Sequence, residues 1–330
     1  MKEADIRPKD LFANYLELNQ RDVERLFADR LGFVEIGCPA CGCGDECDGL
    51  IKLGFRYRLC ADCGSLYLSP RPTRAQMQTF YAQSDAVKFW GTDFYRQTAE
   101  SRRERLFRPR ARQAAALADQ IGLPVRATLA DIGPGYGLTL EEAAATGRFA
   151  RIIGIEPAAN LAAICREKGF EIVPKLLEEM EEGEVAADIV TCFEVLEHVY
   201  DPTDFVMALG RVMRRGGRLL ATTLTVTGFD IQVLWERSNS IHPPHHCNLL
   251  SVSGYRRLFE RCGFSVADLS TPGELDVDLV RNKAAEDMSL PLPRFVRAIL
   301  DAPEDVRNGF QSFLKASRLS SHICIVASQI

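Results

Sequence analysis

The chain has 330 residues, of which 46% are hydrophobic and 26% are charged. This mixture is typical of a globular protein with a sizeable core, and it excludes a mainly disordered chain. The length allows one large domain or two domains of about 150 residues each. A net charge of −5 gives little general attraction to nucleic acid or anionic lipid, so we expect neither as a partner.

The cysteines are unevenly distributed, because six of the 11 lie between Cys38 and Cys63. The first ten residues are polar and charged, and no apolar segment of a secretion signal follows them. No apolar run approaches the roughly 20 residues that cross a bilayer. An odd number of cysteines without a signal peptide favours a reducing compartment. We therefore expect a cytoplasmic protein whose cysteine cluster binds a metal or is structural rather than disulfide-bonded.

Apolar patterns along the chain predict three regions. Residues 1–72 combine helical periodicity over 1–36 with a Gly- and Cys-rich segment that contains short strands. Residues 73–120 are predicted to be arginine-rich helices that form a linker or lid. Residues 121–330 alternate short apolar strands with helices, which predicts a parallel α/β sheet. Near the end, SVADLST and SHICIVAS predict two more strands, with a mostly helical stretch around Pro293–Lys315 between them.

Two CxxCG sequences, separated by 18 residues, predict a metal site in the first region. Each sequence places two thiolates on one tight turn, and Gly42 and Gly64 supply the positive φ that such a turn needs. Four thiolates form a closed tetrahedral zinc site, whose role is structural because no coordination position stays open. Cys43 and Cys47 are expected to be free thiols. The predicted zinc ligands are Cys38, Cys41, Cys60 and Cys63.

A glycine-rich loop follows the first strand of the α/β region and opens a helix. It reads Asp131-Ile-Gly133-Pro-Gly135-Tyr136-Gly137. Glycines let a ligand approach the backbone, and the N–H groups of a helix N-terminus bind an anionic group. Glu156 ends the next strand, 25 residues after Asp131, where a carboxylate can accept both ribose hydroxyls. This arrangement favours a nucleotide-type cofactor over an ordinary tight turn.

The segments DIGPGYG, IIGIEP and CFEVLEHVYDP resemble the motifs of class I S-adenosylmethionine-dependent methyltransferases, over roughly residues 105–330. The cysteine module followed by YLSPRPT resembles a zinc-binding segment of some sugar and natural-product methyltransferases. The resemblance implies a Rossmann-like seven-stranded sheet of order 3-2-1-4-5-7-6, with a small N-terminal zinc-binding domain. It also implies methyl transfer from S-adenosylmethionine to oxygen or carbon of a small molecule, such as a sugar, nucleotide-sugar or natural product.

The resemblance implies roles for particular residues when it is carried over by position. Asp131 and the glycines line the methionine part of the cofactor, and Glu156 holds the ribose. Pro157 and Leu177 lie near the adenine, and Phe193 flanks the methionine or ribose. One arginine before the first strand binds the cofactor carboxylate. The implied cofactor-binding residues are Asp131, Gly133, Gly135, Tyr136, Gly137, Glu156, Pro157, Leu177, Phe193, Arg110 and Arg112.

An oxygen or carbon nucleophile usually needs its proton removed, and histidine is the natural base near neutral pH. Three of the five histidines lie in the run His242-Pro-Pro-His245-His246, after the fifth strand of the sheet. We expect His246, ahead of His245, to be the general base. A proline-rich surface loop is the structural alternative. A metal site made by these histidines and Cys247 is disfavoured, because adjacent histidines after Pro-Pro rarely converge.

Glu194, Glu197 and His198 have the spacing of one face of a helix start, which suits a divalent cation. The pattern is similar to one in ubiquinone-biosynthesis O-methyltransferases, where it is associated with a metal. The Leu-Glu-His triplet is also widespread among relatives that need no metal. We therefore favour structural hydrogen bonds below the cofactor for Glu197 and His198.

Residues 101–112 contain six arginines. A solvated helix face explains them, and bidentate contacts with a phosphate or carboxylate of the acceptor are the functional alternative. The aromatic pairs Phe89-Trp90 and Phe94-Tyr95 are lid candidates, although core packing is commoner. We expect a small-molecule acceptor, and the arginine run, set beside the net charge of −5, suggests local attraction for a small anionic ligand.

Two other functions remain open. Zinc modules also precede this fold in some rRNA-modifying enzymes, but the acidic charge balance disfavours an RNA methyltransferase. A non-catalytic protein that docks a partner is disfavoured by the presence of both Asp131 and Glu156. The sequence predicts no particular oligomeric state.

Overall fold

The computed structural model describes residues 1–330 and contains one seven-stranded sheet and one four-stranded sheet. In chain order, the strands are β1 (Glu46–Lys52), β2 (Phe55–Cys60), β3 (Leu66–Leu68), β4 (Ala127–Ile132), β5 (Phe149–Ile155), β6 (Glu171–Val173), β7 (Ala187–Phe193), β8 (Met213–Leu224), β9 (Asn248–Leu249), β10 (Phe264–Ser270) and β11 (His322–Gln329).

Most of the α-helices flank these strands or form the N-terminal region. They are α1 (Glu3–Ile6), α2 (Lys9–Leu26), α3 (Arg74–Gln83), α4 (Asp85–Phe89), α5 (Tyr95–Arg102), α6 (Arg108–Gln120), α7 (Leu138–Ala145), α8 (Ala159–Glu167), α9 (Pro202–Arg211), α10 (Phe229–Leu234), α11 (Val252–Arg261), α12 (Asp276–Glu286), α13 (Arg294–Asp301) and α14 (Glu304–Ala316). Short π-helical segments at Trp90–Phe94 and Arg103–Phe107 join α4, α5 and α6. No helix combines the length and apolar character that a bilayer crossing requires.

The seven-stranded sheet has the order β10-β11-β8-β7-β4-β5-β6. Counted along the chain, these seven strands have the order 3-2-1-4-5-7-6 when read from β6, so the predicted Rossmann-like topology is confirmed. Strands β4 to β8 pair in parallel, whereas β11 is antiparallel to both β8 and β10. Every residue of the central strands β4 and β7 is buried, as expected where helices cover both faces of a parallel sheet.

The four-stranded sheet joins the N-terminal region to the α/β region. Its order is β1-β2-β3-β9, and the edge strand β9 comes from residues 248–249. Leu66 pairs with Leu249, and the Leu68 amide donates a hydrogen bond to the Cys247 carbonyl (2.9 Å). The sheet therefore crosses the region boundary expected at residue 72, and the boundaries at 72 and 120 stay predictions. The short strands expected in this segment are confirmed as β2 and β3.

The cysteine module also packs onto α11 of the α/β region. The Ser251 hydroxyl donates to the Cys63 carbonyl (2.5 Å), and Arg257 forms an ion pair with Asp62 (2.5 Å). A Cβ atom on Gly254 would lie 2.2 Å from the Ser65 hydroxyl, so the helix and the module are in close contact. Three of the four clustered cysteines belong to the same buried core as the seven-stranded sheet.

Candidate cofactor and acceptor site

The glycine loop joins β4 to α7 at the carboxyl edge of the parallel strands. Gly133, Gly135 and Gly137 have φ angles of 67°, 53° and 77°, in the left-handed region that other residues adopt at a cost. A Cβ atom on Gly137 would lie 3.0 Å from the Cys165 sulfur, whereas Gly135 faces open space. The loop thus combines close packing on one side with room for a ligand at Gly135.

Glu156 meets this loop from the end of β5. Its carboxylate accepts hydrogen bonds from the Gly135 amide (3.1 Å) and the Ala158 amide (2.9 Å). Burial raises the pKa of Glu156, and the two N–H donors oppose that rise. The structure therefore brings together the glycine loop and the acidic residue 25 positions further along the chain.

Asp131 occupies a buried position near the end of β4. The Thr191 hydroxyl on β7 donates a 2.6 Å hydrogen bond to its carboxylate. Burial raises the pKa of Asp131 to about 7, because the ionised form loses its hydration. A cation placed beside this carboxyl group would favour its ionised form.

The other residues expected around the adenine and the loop differ in exposure. Tyr136 is half-buried, and its ring stacks on Tyr95 at 5.3 Å. Pro157 is exposed. Leu177 is 3% exposed and packs in the main hydrophobic core. Its side chain is therefore largely covered, although the resemblance implies that it lies near the adenine.

The two arginines expected near the cofactor carboxylate have different environments. Arg110 on α6 is buried and donates to the Glu194 carboxylate (2.5 Å), and its guanidinium carbon lies 5.0 Å from the Phe193 ring centre. Arg112, two residues later, is exposed. The structure thus groups Arg110 with Phe193 at the end of β7 and leaves Arg112 in solvent.

Glu194 is held by partners on several elements. His322 and Thr222 contact its carboxylate at 2.7 and 2.8 Å, in addition to Arg110. Burial alone would raise the pKa of Glu194, but His322 and Arg110 hold it well below its ordinary value. Glu194 is therefore an ionised acceptor with several partners.

Four of the five histidines converge beside the segment that follows β7. The His198 ring lies 4.8 Å from His246, and the His242 ring stacks on His245 at 5.2 Å. The run His242–His246 has a cis bond between its two prolines, and its Cys247 thiol donates to the Pro244 carbonyl (3.0 Å), away from the rings. The adjacent histidines thus do converge, but Cys247 does not join them.

Main-chain carbonyls select the tautomers of two of these rings. The Nδ1 atom of His246 lies 2.7 Å from the Ser240 carbonyl, and that of His198 lies 3.1 Å from the His245 carbonyl. A carbonyl only accepts, so each Nδ1 carries the proton and each Nε2 holds a lone pair. Burial lowers the pKa of His246 to about 3 and that of His198 to about 4. Both rings are therefore uncharged at pH 7, and burial makes each a weaker base than a free imidazole.

The other two histidines of the run are more deeply buried. His242 and His245 are both 5% exposed, and neither Nε2 atom has a hydrogen-bond partner. His246 and His198 are only half-buried. Of the two expected catalytic histidines, His246 is therefore the more accessible to a small molecule.

The two glutamates that follow β7, Glu194 and Glu197, have different surroundings. Glu197 is buried and accepts a hydrogen bond from the Thr223 hydroxyl (2.7 Å), and burial together with the charge of Glu194 raises its pKa to about 8. The polar atoms of Glu197, His198 and His246 approach within 4.8 Å of one another, whereas Glu194 is outside this group. The hydrogen bond to Thr223 is consistent with the structural role expected for Glu197.

Aromatic side chains connect the glycine loop with the histidines. The Tyr95 ring stacks on Tyr136, while Trp90 lies 4.7 Å from Tyr15, and Tyr15 lies 5.2 Å from His242. Trp90 and Tyr95 come from the aromatic pairs expected to form a lid, whereas their neighbour Phe94 is fully buried. Tyr15 was not predictable as a site residue, because it belongs to the ordinary apolar stripe of α2.

The four CxxCG cysteines lie together in the N-terminal module. Their sulfur atoms all fall within 4.8 Å of one another, with 3.5 Å between Cys38 and Cys63 and between Cys41 and Cys60. Four sulfurs at about 2.3 Å from a tetrahedral zinc ion are separated by about 3.8 Å, so this donor set fits zinc. Cys43 is half-buried and Cys47 is exposed, and neither belongs to the group.

Comparison with known proteins places the α/β region in a family. A profile of the methyltransferase domain matches residues 98–269, which is more than half of the chain. The ubiquinone biosynthesis O-methyltransferase of Xanthomonas oryzae pv. oryzae is 35% identical over 108 residues, which cover 31% of this chain and 44% of that protein. The chain thus matches less than half the length of this curated relative.

Two solved structures are also similar. One is the complex between the Haloferax volcanii Trm112 methyltransferase activator and a putative methyltransferase, with 16% identity, a TM-score of 0.49, and 73% of this chain and 96% of that chain covered. The other is geranyl diphosphate C-methyltransferase from Streptomyces coelicolor A3(2), with 16% identity, a TM-score of 0.46, and 71% of this chain and 86% of that chain covered.

Proposed function

The chain belongs to the methyltransferase domain family, and we propose that it transfers a methyl group from S-adenosylmethionine to oxygen or carbon of a small molecule. A sugar, a nucleotide-sugar or a natural product is the acceptor class that we propose. The observation that carries the proposal is the hydrogen bond from the Gly135 amide of the glycine loop to the Glu156 carboxylate at the end of the next strand.

The residues of the glycine loop fit the proposed cofactor. Gly135 has open space where a side chain would stand, and Glu156 offers a carboxylate to ribose hydroxyls. Asp131 offers a second carboxyl to the ammonium group of the methionine part, and Arg110 is the candidate for its carboxylate. When bound, the cofactor supplies a methyl group activated by its sulfonium centre.

The protein's own contribution is to orient the acceptor and remove its proton. We propose His246 as the general base, because the Ser240 carbonyl fixes the proton on Nδ1 and leaves the Nε2 lone pair free. His198 is the second neutral imidazole in reach of the same space. Tyr15 packs on both Trp90 and His242, so aromatic rings adjoin the histidine cluster.

The cysteine module supports a structural zinc ion. The four sulfurs all lie within 4.8 Å of one another, and a closed set of four thiolates leaves no position for a substrate. The ion would hold together a region that is packed against α11 and that supplies three strands of the small sheet.

Isothermal titration of the full chain with S-adenosylmethionine tests the proposal. We expect one site, and we expect Glu156→Ala to weaken binding at least about tenfold, since two charge-assisted hydrogen bonds are lost. Glu167→Ala is the matched control, because Glu167 is exposed on the neighbouring helix α8. Absence of binding by the parent protein, or equal binding by Glu156→Ala, would refute the assignment of this pocket.

A further inference from the structure

The six arginines between residues 102 and 112 fall into three groups by environment. Three contact carboxylates of the protein, two are exposed without a partner, and one is buried without a partner. The arginines that contact carboxylates are Arg103, Arg108 and Arg110. The exposed ones are Arg105 and Arg112, and the buried one is Arg102. A solvated helix face thus accounts for two of the six, and Arg102 needs another explanation.

Arg102 is 8% exposed at the end of α5. Its guanidinium carbon lies 4.9 Å from the Tyr95 ring centre and 5.6 Å from the Trp90 ring centre, and its Nε atom has no hydrogen-bond partner. Aromatic contacts stabilise a guanidinium but satisfy none of its five N–H donors. A buried cation whose donors lack an acceptor is costly, and such a cost is expected where a ligand completes the site.

A second arginine without an ion pair approaches from α1. The Ser101 hydroxyl of α5 donates a hydrogen bond to the Asp5 carbonyl of α1, which holds the two helices together. Arg7 is the first residue after α1. The guanidinium carbon of Arg7 lies 5.3 Å from the Phe12 ring centre. Burial lowers the pKa of Arg7, and the positive charge of Arg102 acts in the same direction. The contact between α1 and α5 therefore brings two cationic side chains without ion pairs into the same part of the molecule.

Glu3 and Asp230 line the same cavity as Arg7, and neither forms an ion pair with it. Glu3, Glu194 and Asp230 all raise the pKa of Arg7, but none comes within ion-pair distance of it. Glu194 is instead bound to Arg110 and His322. The protein thus supplies a background of negative charge but no acceptor for the N–H groups.

Arg102 lies where the proposed acceptor would enter. Tyr95, which contacts Arg102, stacks on Tyr136 of the glycine loop. Trp90, its other contact, packs on Tyr15, which in turn packs on His242. Arg102 therefore stands between the glycine loop and the histidine cluster.

We propose that Arg102 and Arg7 receive an anionic oxygen group, a phosphate or a carboxylate, on the methyl acceptor. This inference rests on the proposed methyltransferase function and narrows its substrate class to anionic molecules. A guanidinium binds such oxygens with two parallel hydrogen bonds, and the aromatic walls fix its plane. The negative charge of the ligand would also relieve the repulsion between the two cations.

Titration calorimetry with simple anions tests the pair directly, without knowledge of the full substrate. Inorganic pyrophosphate and acetate are titrated separately into the full chain. We expect saturable binding, which Arg7→Gln and Arg102→Lys each weaken about tenfold, since bidentate contacts are lost. Arg105→Gln, which alters an exposed arginine of the same run, is expected to bind as the parent does. Binding of pyrophosphate alone would indicate a phosphate, and comparable binding of acetate would indicate a carboxylate.

Several outcomes would overturn the inference. The site would be refuted if neither anion bound, or if Arg105→Gln weakened binding as much as the other two variants. If Arg102→Lys weakened the binding of S-adenosylmethionine but not that of the anions, Arg102 would belong to the cofactor site instead. A protein that binds S-adenosylmethionine but neither anion refutes the anion site alone. A protein that binds pyrophosphate but not S-adenosylmethionine refutes the methyltransferase assignment on which the substrate class depends.

Discussion

The hydroxyl group of Tyr57 donates a 2.8 Å hydrogen bond to the main-chain carbonyl of His246. Tyr57 lies on β2 of the N-terminal sheet, and His246 is the proposed base of the α/β region. Two residues after His246, β9 becomes the edge strand of that same sheet. The cysteine module is therefore connected to the histidine run by both a side chain and a strand pairing. We infer that the module positions the base.

Removal of this hydroxyl tests the positioning role. We expect Tyr57→Phe to lower kcat about tenfold, with an acceptor found from a panel of phenols, sugars and nucleotide-sugars, because the loss of one buried hydrogen bond loosens His246. The dissociation constant of S-adenosylmethionine should stay unchanged, since the glycine loop is not involved. A merely structural defect would weaken both.

Tyr67→Phe is the matched control for that variant. Tyr67 lies on β3 of the same sheet, is fully buried, and has a hydroxyl group without a partner. Its removal is expected to leave kcat unchanged and the free energy of unfolding equal or higher. Equal kcat values for Tyr57→Phe and the parent would contradict the positioning role.

Removal of a cysteine ligand is expected to release zinc. The parent chain should contain one zinc ion by elemental analysis, and Cys60→Ser should contain none. Since metal binding contributes directly to folding, the free energy of unfolding should fall by several kcal/mol in urea titrations. Cys47→Ser, which alters an exposed thiol outside the cluster, should keep both the zinc and the stability. Full zinc content in Cys60→Ser would show that these four thiolates are not the site.

The identity of the base is tested by two substitutions in the histidine run. We expect His246→Gln to lower kcat by about 10²-fold or more, because proton removal by a positioned base contributes on that order. His245→Gln should have a smaller effect, since His245 is buried beneath the accessible rings and packs on Phe80 at 4.8 Å. S-adenosylmethionine should bind both variants as it binds the parent. A larger loss of kcat in His245→Gln than in His246→Gln would reverse the assignment.

The glycine loop and its acidic partner were predictable because the signals are local. Gly135 and Glu156 follow consecutive parallel strands, and the carboxyl ends of such strands meet at one edge of the sheet. The strand order needed the resemblance as well, since the alternating pattern predicts a parallel sheet without fixing which strand is central. Strand β1 escaped prediction, because its sequence ECDGLIK contains a glycine and lacks a regular alternation, and its pairing with β2 has a bulge.

The acceptor side depends on tertiary packing that sequence spacing does not encode. His198 and His246 are 48 positions apart and meet only because the sheet places the end of β7 beside the run after β8. Tyr15 and Arg7 reach the same space from helices near the start of the chain, where their spacing indicates ordinary amphipathic helices. The expectation that adjacent histidines after two prolines diverge was wrong, since the structure brings all three rings of the run together.

Asp131 gives the apo protein a pH-dependent stability. The folded state keeps its proton up to about pH 7, whereas the unfolded chain loses it near 3.8. Between these values the folded state binds more protons, so the free energy of unfolding falls as pH rises, by up to roughly 4 kcal/mol for this group. Asp131→Asn should therefore be more stable than the parent at pH 8 in urea titrations, and the difference should vanish towards pH 4. Asp48→Asn, which alters an exposed aspartate, should follow the parent at both pH values. A constant difference between Asp131→Asn and the parent across this range would show that Asp131 is already ionised in the folded protein.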